Sequence, residues 1–556
     1  MRRPHPSLPH PWAETPDPDA ETLPDWQADP APPVIWSVAG TDSGGGAGLS
    51  ADTRAAPLLG VHLCPVVAAV TAQNSCGVRS VHAQPAELLS AQFAALEQDL
   101  TPRAIKTGLL GSVEAVRALV AVLERLRQRA PAAPVALVVD PVLGASAGGA
   151  AFADAALLQA YRELLLPRCD LLTPNRREAE RLCGVAPGAL SVPALAERLR
   201  ALGARAVCIT GGDDLQTPGA DRLALDWLSG RGAEPSGQAP AAPAVEGWLA
   251  LPRLRAEGLH QHGSGCTFAT AAAAALARGF ALADAVILAK MLAWCGLRDG
   301  HAAGAGPGPL RPRAGFIDDP AAMPVLGSAL DARPSAATLA RWASVLRQPA
   351  APPTQAGALY GISADPAQLA RLARGGRFAH LQLRIKGGAD EAHDRRRLQD
   401  AIAAAVQGCR GQGVQLWIND HWELALRAGA EALHLGQEDW ARLGPAAQEE
   451  LLALQAEGRL RLGLSSHSLW ELARARALAP ALIACGPIWP TQTKDMPWLP
   501  QGLAQLRWWV RMAGRPVVAI GGVTDAARLA AVRRSGAAAV CLVRGLALAE
   551  SAPPQG

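Results

Sequence analysis

The sequence contains no apolar run near the ~18 residues of a membrane-spanning helix, so no membrane partner is expected. It has no block of basic residues either. Its 53 Lys and Arg stand against 49 Asp and Glu, and a net charge of +4 over 556 residues argues against a dedicated nucleic-acid surface. None of the ten cysteines forms a Cys-x-x-Cys pair. Most, such as Cys208 and Cys541, have apolar neighbours, which reads as reduced, buried thiols in a cytoplasmic protein. The start, Met1-Arg2-Arg3-Pro4-His5-Pro6, leads into polar, Pro-rich sequence and not into an apolar stretch, so no secretory signal is expected.

The chain is 49% apolar and long enough for two or three packed domains. Residues 1–32 are rich in Pro, Asp and Glu without periodicity and read as a mobile arm. From Val34 to about Arg298, short apolar runs alternate with helical stretches. Val34–Ala39, Cys64–Val70, Val135–Asp140, Asp170–Thr173 and Ala206–Thr210 are expected strands. Their near-continuous apolar character suits strands covered on both faces, hence a mostly parallel sheet in an α/β domain over 33–300. Residues 301–355 break the composition with Gly/Pro clusters and are expected to be a linker with one helix, Ala336–Gln348. From 356 to about 550, eight apolar runs (358–363, 378–385, 414–419, 432–435, 460–465, 481–485, 516–520 and 538–543) alternate with helical stretches. Eight parallel strands in fewer than about 200 residues is the arithmetic of a compact (β/α)8 barrel.

In such a barrel, ligand-binding groups gather at the C-terminal ends of the strands. On the second run His380, Gln382, Arg384 and Lys386 alternate with apolar residues, and a period of two sends all four toward the barrel mouth. Later runs end in Asn419-Asp420, Gln437-Glu438-Asp439 and Ser465-Ser466-His467. Asp420 and Asp439 suit Mg²⁺ held by few protein oxygens, although Asp439 also reads as a helix cap. After the sixth run come Thr491-Gln492-Thr493-Lys494, whose hydroxyls, N–H groups and ammonium make an anion cradle. The seventh ends in Gly521-Gly522, where backbone can approach a ligand closely. Arg384, Lys386 and Lys494 with a metal would stabilise a departing pyrophosphate.

Gln-Leu-Arg-Ile-Lys, Ile-Asn-Asp-His, His-Leu-Gly-Gln-Glu-Asp, Pro-Thr-Gln-Thr-Lys and Ala-Ile-Gly-Gly together resemble thiamine-phosphate synthase over about 356–545. That family couples hydroxymethylpyrimidine diphosphate to thiazole phosphate and expels pyrophosphate. The resemblance implies that Gln382, Leu383, Arg384, Ile385, Lys386, Asn419, Ser465 and Lys494 bind the pyrimidine diphosphate. Arg384 and Lys494 act on the leaving group, and Asp420 and Asp439 hold Mg²⁺. Thr491, Gln492, Thr493, Gly522, Val543 and Arg544 would hold the thiazole phosphate. Arg544 departs from the Ser usual there.

In the first domain, the Val34–Ala39 run is followed by Gly40-Thr41-Asp42-Ser43-Gly44-Gly45-Gly46-Ala47-Gly48, which lacks the P-loop pattern. Asp52 in the next helix is expected to face the same region. Asn175 and Glu178 stand three apart at a helix start, as in a reciprocal cap that can also face metal-bound phosphate. Gly263-Ser264-Gly265-Cys266 opens an Ala-rich helix, where converging N–H groups favour developing negative charge and would depress the Cys266 pKa. With Thr-Ala-Gln-Asn, Asp-Pro-Val, Thr-Pro-Asn-x-x-Glu and Gly-Ser-Gly-Cys-Thr, residues 33–300 resemble the ribokinase-like hydroxymethylpyrimidine and phosphomethylpyrimidine kinases. The resemblance implies ATP as co-substrate with Mg²⁺. Gln73 would read the pyrimidine edge, with Gly40, Asp42 and Asp52 at the same substrate site. Asn175, Glu178, Gly263 and Gly265 would face the nucleotide and phosphates, and Cys266 would take the place of the catalytic base. Thr210 and Ala145-Ser146-Ala147 stand where that family tends to carry lysines.

The combined expectation is a bifunctional thiamine-pathway enzyme whose first domain makes the substrate of its second. Its partners are small molecules, and a homo-oligomer is compatible with the sequence. Three rivals remain. A ligand-binding pseudokinase is suggested by Thr210 and Ala145. A barrel that only tautomerises thiazole would not need the diphosphate residues present here. A pyridoxal-type kinase would carry Asp in place of Cys266.

Overall fold

The computed structural model describes residues 17–144, 152–212, 221–230, 245–254, 259–328, 332–347, 356–386, 392–490 and 500–549. They fall into two compact units. One spans Pro24–Leu346; the other runs from Arg347 onward and includes residues 17–23.

The first unit is built on a ten-stranded sheet. Its strands are β1 (Val34–Gly40), β2 (His62–Asn74), β3 (Gly77–Ala83), β4 (Ala104–Thr107), β5 (Ala136–Val139), β6 (Leu171–Leu172), β7 (Ala206–Ile209), β8 (Leu223–Gly230), β9 (Val245–Pro252) and β10 (Val325–Leu326). The spatial order is β10-β9-β8-β7-β6-β5-β4-β1-β2-β3. Pairing is parallel from β2 through β1, β4, β5 and β6 to β7. It turns antiparallel at β3 on one edge and at β8–β10 on the other. β4 and β7 are buried along their whole length, as continuous apolar strands under helices should be. The edge strand β3 has no buried residue. This is the expected ribokinase-like sheet, with an antiparallel wing not anticipated from the sequence.

Two expected boundaries shift. The linker assigned to 301–355 supplies β10, which pairs with β9 and was not expected, and the expected helix, here Ala336–Arg347, whose Trp342 is fully buried. An isolated linker would not bury an indole. The expected mobile arm also acquires structure where it is described. Trp26 packs edge-on against Phe280 at 5.7 Å with Arg278 over its ring, and Arg278 pairs with Asp29 at 3.3 Å.

The second unit is a closed parallel barrel of β11 (Ala358–Ser363), β12 (His380–Leu383), β13 (Gln415–Asn419), β14 (Ala432–Leu435), β15 (Arg461–Ser466), β16 (Leu482–Cys485), β17 (Val517–Ala519) and β18 (Ala539–Leu542). All eight expected strands are present. Tyr360, Ile362, Trp417, Leu482, Val518 and Cys541 fill the interior. Tyr360 and Trp417 stack with centroids 6.5 Å apart, so the barrel is plugged and a ligand is confined to the open end. Among the described residues, no helix is long and apolar enough to cross a membrane.

Candidate active sites

The first unit holds a cavity of about 230 Å³ at the C-terminal ends of its parallel strands. Gly40, Asp42, Gln73, Asn175, Glu178, Gly263, Gly265 and Cys266 all line it. Asp42 organises the loop after β1. Its carboxylate accepts N–H groups from Gly44, Gly46 and Ala47 at 2.8–2.9 Å and faces His262 Nε2 at 2.9 Å. Burial would raise its pKa, but these bonds outweigh burial and lower it. His262 Nε2 also lies 3.1 Å from the Gln73 amide. His262 was not singled out from the sequence; its place directly before Gly263 was the available signal.

Asp52 does not line the cavity. It lies on the inner face of the helix Gly48–Ala55 with no exposed surface. Lys106 Nζ meets both its oxygens at 2.9 Å, and Ser37 and Thr270 hydroxyls donate to them. Burial favours a neutral Lys106, but the Asp52 charge more than compensates and raises the ammonium pKa. Asp52 is therefore a structural counter-ion, and the expectation that it binds substrate is corrected.

The Cys266 expectation also reverses. The thiol lies within the helix Ser264–Ala277 at the glycine turn, but burial pushes its pKa up to about 12 against the opposing pull of Lys106. The shift is upward, opposite to the depression that the glycine turn alone would favour. The turn itself is as expected: Gly263 has φ 88°, and a Cβ there would sit 2.2 Å from Gly46 O. Only glycine fits.

Asn175 and Glu178 close the reciprocal cap of the helix Arg176–Cys183, with both bonds present at 2.9 and 3.0 Å. Both still line the cavity, so capping and facing the cavity coexist. Burial raises the Glu178 pKa, and the neighbouring Asp140 charge raises it further. Asp140 is likewise raised, first by burial, and among the described residues its Oδ2 has no hydrogen-bond partner. No role was assigned to Asp140 from the sequence, although Asp-Pro-Val at a strand end marked the spot. Thr210 lines the same cavity. So does Lys290, which pairs with Asp226 at 2.8 Å. Ala145, Ser146 and Ala147 lie outside the described residues.

The barrel mouth holds a cavity of about 250 Å³. Gln382, Arg384, Asn419, Asp420, Asp439, Ser465, Gly522, Val543 and Arg544 line it together. Gln382 accepts from Tyr360 OH at 3.2 Å and donates to Asn419 Oδ1 at 2.6 Å. Asn419 in turn donates to Asp420, whose backbone is left-handed at φ 63°, unusual for a residue with a Cβ. Asp439 is not a cap, since the cap position is Gly436. It lies in the first turn of the helix Gln437–Arg442 and pairs with Arg442 at 3.0 Å. The buried His434, which opens the His-Leu-Gly-Gln-Glu-Asp motif but was given no role from the sequence, approaches Ser465 Oγ at 2.9 Å. Burial and then the Arg384 charge push its pKa down to about 4.

Three residues expected at the diphosphate site, on β12 and its continuation, do not line this cavity. Leu383 is buried on the face opposite the polar set, and neither it nor Ile385 lines the mouth. Lys386 is exposed and does not line it either, because the strand ends at Leu383 and alternation no longer governs its direction. Thr491, Gln492, Thr493 and Lys494 lie outside the described residues.

Two cavities thus lie on one chain, one at the strand ends of the parallel sheet and one at the barrel mouth. A family model described as phosphomethylpyrimidine kinase matches residues 42–311, and one described as thiamine monophosphate synthase matches 359–546. A relative from Oryza sativa subsp. japonica, described as a probable thiamine biosynthetic bifunctional enzyme, is 31% identical over 500 residues. The match covers 88% of this chain and 81% of the relative. A hydroxymethylpyrimidine/phosphomethylpyrimidine kinase of Mycobacterium bovis is 38% identical, covering 50% of this chain and 94% of its own. A thiamine-phosphate synthase of Neisseria meningitidis is 45% identical, covering 31% and 82%. The chain belongs to the bifunctional thiamine-biosynthetic enzymes that join such a kinase to such a synthase.

Proposed function

We propose that the first cavity holds hydroxymethylpyrimidine, and then its monophosphate, between the Gly40–Asp42 loop and Gln73. The phosphoryl group would be transferred from ATP at the Gly263–Gly265 turn. The observation that carries this reading is the turn itself, where N–H groups at a helix start and a position only glycine can occupy face the same space as Gln73. Phosphoryl transfer needs chiefly positioning and charge stabilisation. A neutral Cys266 thiol is compatible with that demand as a neighbour of the transferring group, and is not a base. Asp140 and Glu178 repel each other across the cavity, and the unpartnered Asp140 Oδ2 suits a cation. Mg²⁺ bound there with the nucleotide would supply charge neutralisation.

In the barrel, Gln382, Arg384, Asn419 and Ser465 would hold the pyrimidine diphosphate, while Gly522, Val543 and Arg544 would receive the thiazole phosphate. Lys386 and the segment Thr491–Lys494 belong to the proposal by resemblance alone. The described lining carries Asp420, Glu438, Asp439 and Glu471 against Arg384 and Arg544. Such a lining accepts a diphosphate only with added positive charge, so the residues fit Mg²⁺ at Asp420 and Asp439, where it would neutralise departing pyrophosphate. Arg384 carries its own charge to the leaving group, and Asn419 and Gln382 orient the ring. Ten free thiols, nine of them buried, support a reducing, cytoplasmic setting.

Two assays on the intact chain test the reading. Hydroxymethylpyrimidine with Mg–ATP should release ADP. Pyrimidine diphosphate with thiazole phosphate should release pyrophosphate without ATP. Failure of either removes that half.

A further inference from the structure

Trp489 ends the stretch after β16 and is 1% exposed. A buried indole N–H needs an acceptor. Here it donates to Asp19 Oδ1 at 2.9 Å, from a residue 470 positions upstream. The neighbours of Asp19 bind the same patch. The helix Gly502–Met512 starts without a side-chain cap. Its first-turn N–H groups from Leu503 and Ala504 donate instead to Pro18 O and Ala20 O at 3.0 and 3.1 Å. Arg507 donates to Glu21 O at 2.7 Å and pairs with the Glu21 carboxylate at 3.3 Å. Residues 18–21 therefore cap a barrel helix and satisfy a buried barrel tryptophan.

Trp489 in turn supports the cavity wall. A Cβ on Gly522 would meet Trp489 Cβ at 2.5 Å, so the two are in close contact. Arg528 lies over the indole at 5.1 Å and donates to Gly522 O at 2.9 Å. Gly521 and Gly522 both face the cavity.

We propose that Asp19 is a positioning residue of the synthase. It fixes Trp489 and, through it, the Gly521-Gly522 wall against which the thiazole phosphate is bound. The inference rests on the synthase reading and extends it. The synthase is assembled from two stretches of chain, and the one preceding the kinase completes its site.

The test uses full-length Asp19→Ala, Asp19→Asn, Trp489→Phe and the Asp19→Ala/Trp489→Phe pair, with both synthase substrates supplied. Losing the bond should raise KM for thiazole phosphate about five- to tenfold, with a smaller change in kcat. Asp19→Asn keeps an acceptor oxygen and should return KM to within about twofold of the parent. The double variant should be no worse than either single one, because both remove the same bond. ADP release by the kinase should stay at the parent rate in all four. An unchanged KM in Asp19→Ala, additive losses in the pair, or a parallel fall in both activities would overturn the inference while leaving the synthase reading intact. A parent chain without synthase turnover would sink both together.

Discussion

The two cavities both collect acids at the ends of parallel strands, but they manage charge in opposite ways. In the kinase, Asp140 is buried and shares its space with Glu178, and both hold protons more tightly than ordinary carboxylates. In the barrel, Asp420 and Asp439 are half-buried at the mouth, and the buried titratable groups beneath them are His380 and His434, each pushed down to about 4 chiefly by burial. One site gathers two buried carboxylates whose pKa values rise. The other rests on two imidazoles whose pKa values fall, and its mouth mixes Asp420, Glu438, Asp439 and Glu471 with Arg384 and Arg544. The same strand-end geometry serves both, so the chemistry is set by which ionisable groups the packing allows to stay charged.

The sharpest way to separate the halves is Arg384→Ala. Removing the described cation nearest the plug should lower synthase kcat/KM by about 10³-fold and leave ADP release unchanged. Pyrophosphate and ADP assays on the same preparation read this directly. A parallel loss of kinase activity would break the separation.

Asp52→Asn comes next. It leaves Lys106 buried without its counter-charge and should cost about 3–5 kcal/mol in the unfolding of the first unit. Calorimetry should show one transition lowered and the barrel transition unmoved. The KM for hydroxymethylpyrimidine in the folded fraction should be unchanged. A raised KM at full stability would return Asp52 to the substrate site.

pH tests the contrast itself. His434 has a folded pKa below its unfolded value, so its contribution is present above about 6.5 and lost as pH falls toward about 4. That contribution is on the order of 3 kcal/mol. Glu178 is raised above its ordinary 4.5, so its contribution is present below that value and lost as pH rises through the folded pKa. Acidification from pH 6.5 to 4.5, without metal or nucleotide, should therefore destabilise the barrel transition and stabilise the kinase transition. His434→Gln should flatten the first trend. Two transitions moving together would contradict the contrast.

The smallest effect is expected from Cys266→Ser. A thiol held at about 12 is no base near neutrality, so kcat should fall by no more than about tenfold and the pH–rate profile should keep its shape. A loss near 10³-fold with a displaced profile would restore the base role.

The barrel was legible in the sequence because each strand is a short apolar run set off by glycine or charge, and because polar groups recur at its ends. β4 was not, since Lys106 interrupts it, and the Asp52 that makes a buried lysine tolerable lies 54 residues away. The antiparallel wing was missed because the Gly/Ala/Pro-rich residues 231–244 between β8 and β9 break the strand–helix alternation. Asn175 and Glu178 reach the cavity because the short turn from β6 into the next helix leaves them little freedom, whereas Gln73 lies on β2 itself. Cys266 lines it as expected, but its ionisation was misjudged: a helix start favours a thiolate, and burial beside Asp140 disfavours it more. The contacts of residues 17–21 with the barrel could not be read locally, because Trp489, Leu503, Ala504 and Arg507 lie more than 450 residues further along the chain.

The central claim is that two independent sites on one chain act in sequence. The most direct measurement is thiamine phosphate formed by the intact protein from hydroxymethylpyrimidine, thiazole phosphate, ATP and Mg²⁺. The parent chain should make it, and Arg384→Ala should stop at accumulated pyrimidine diphosphate. Absence of product from the parent, or undiminished product from Arg384→Ala, would contradict the account.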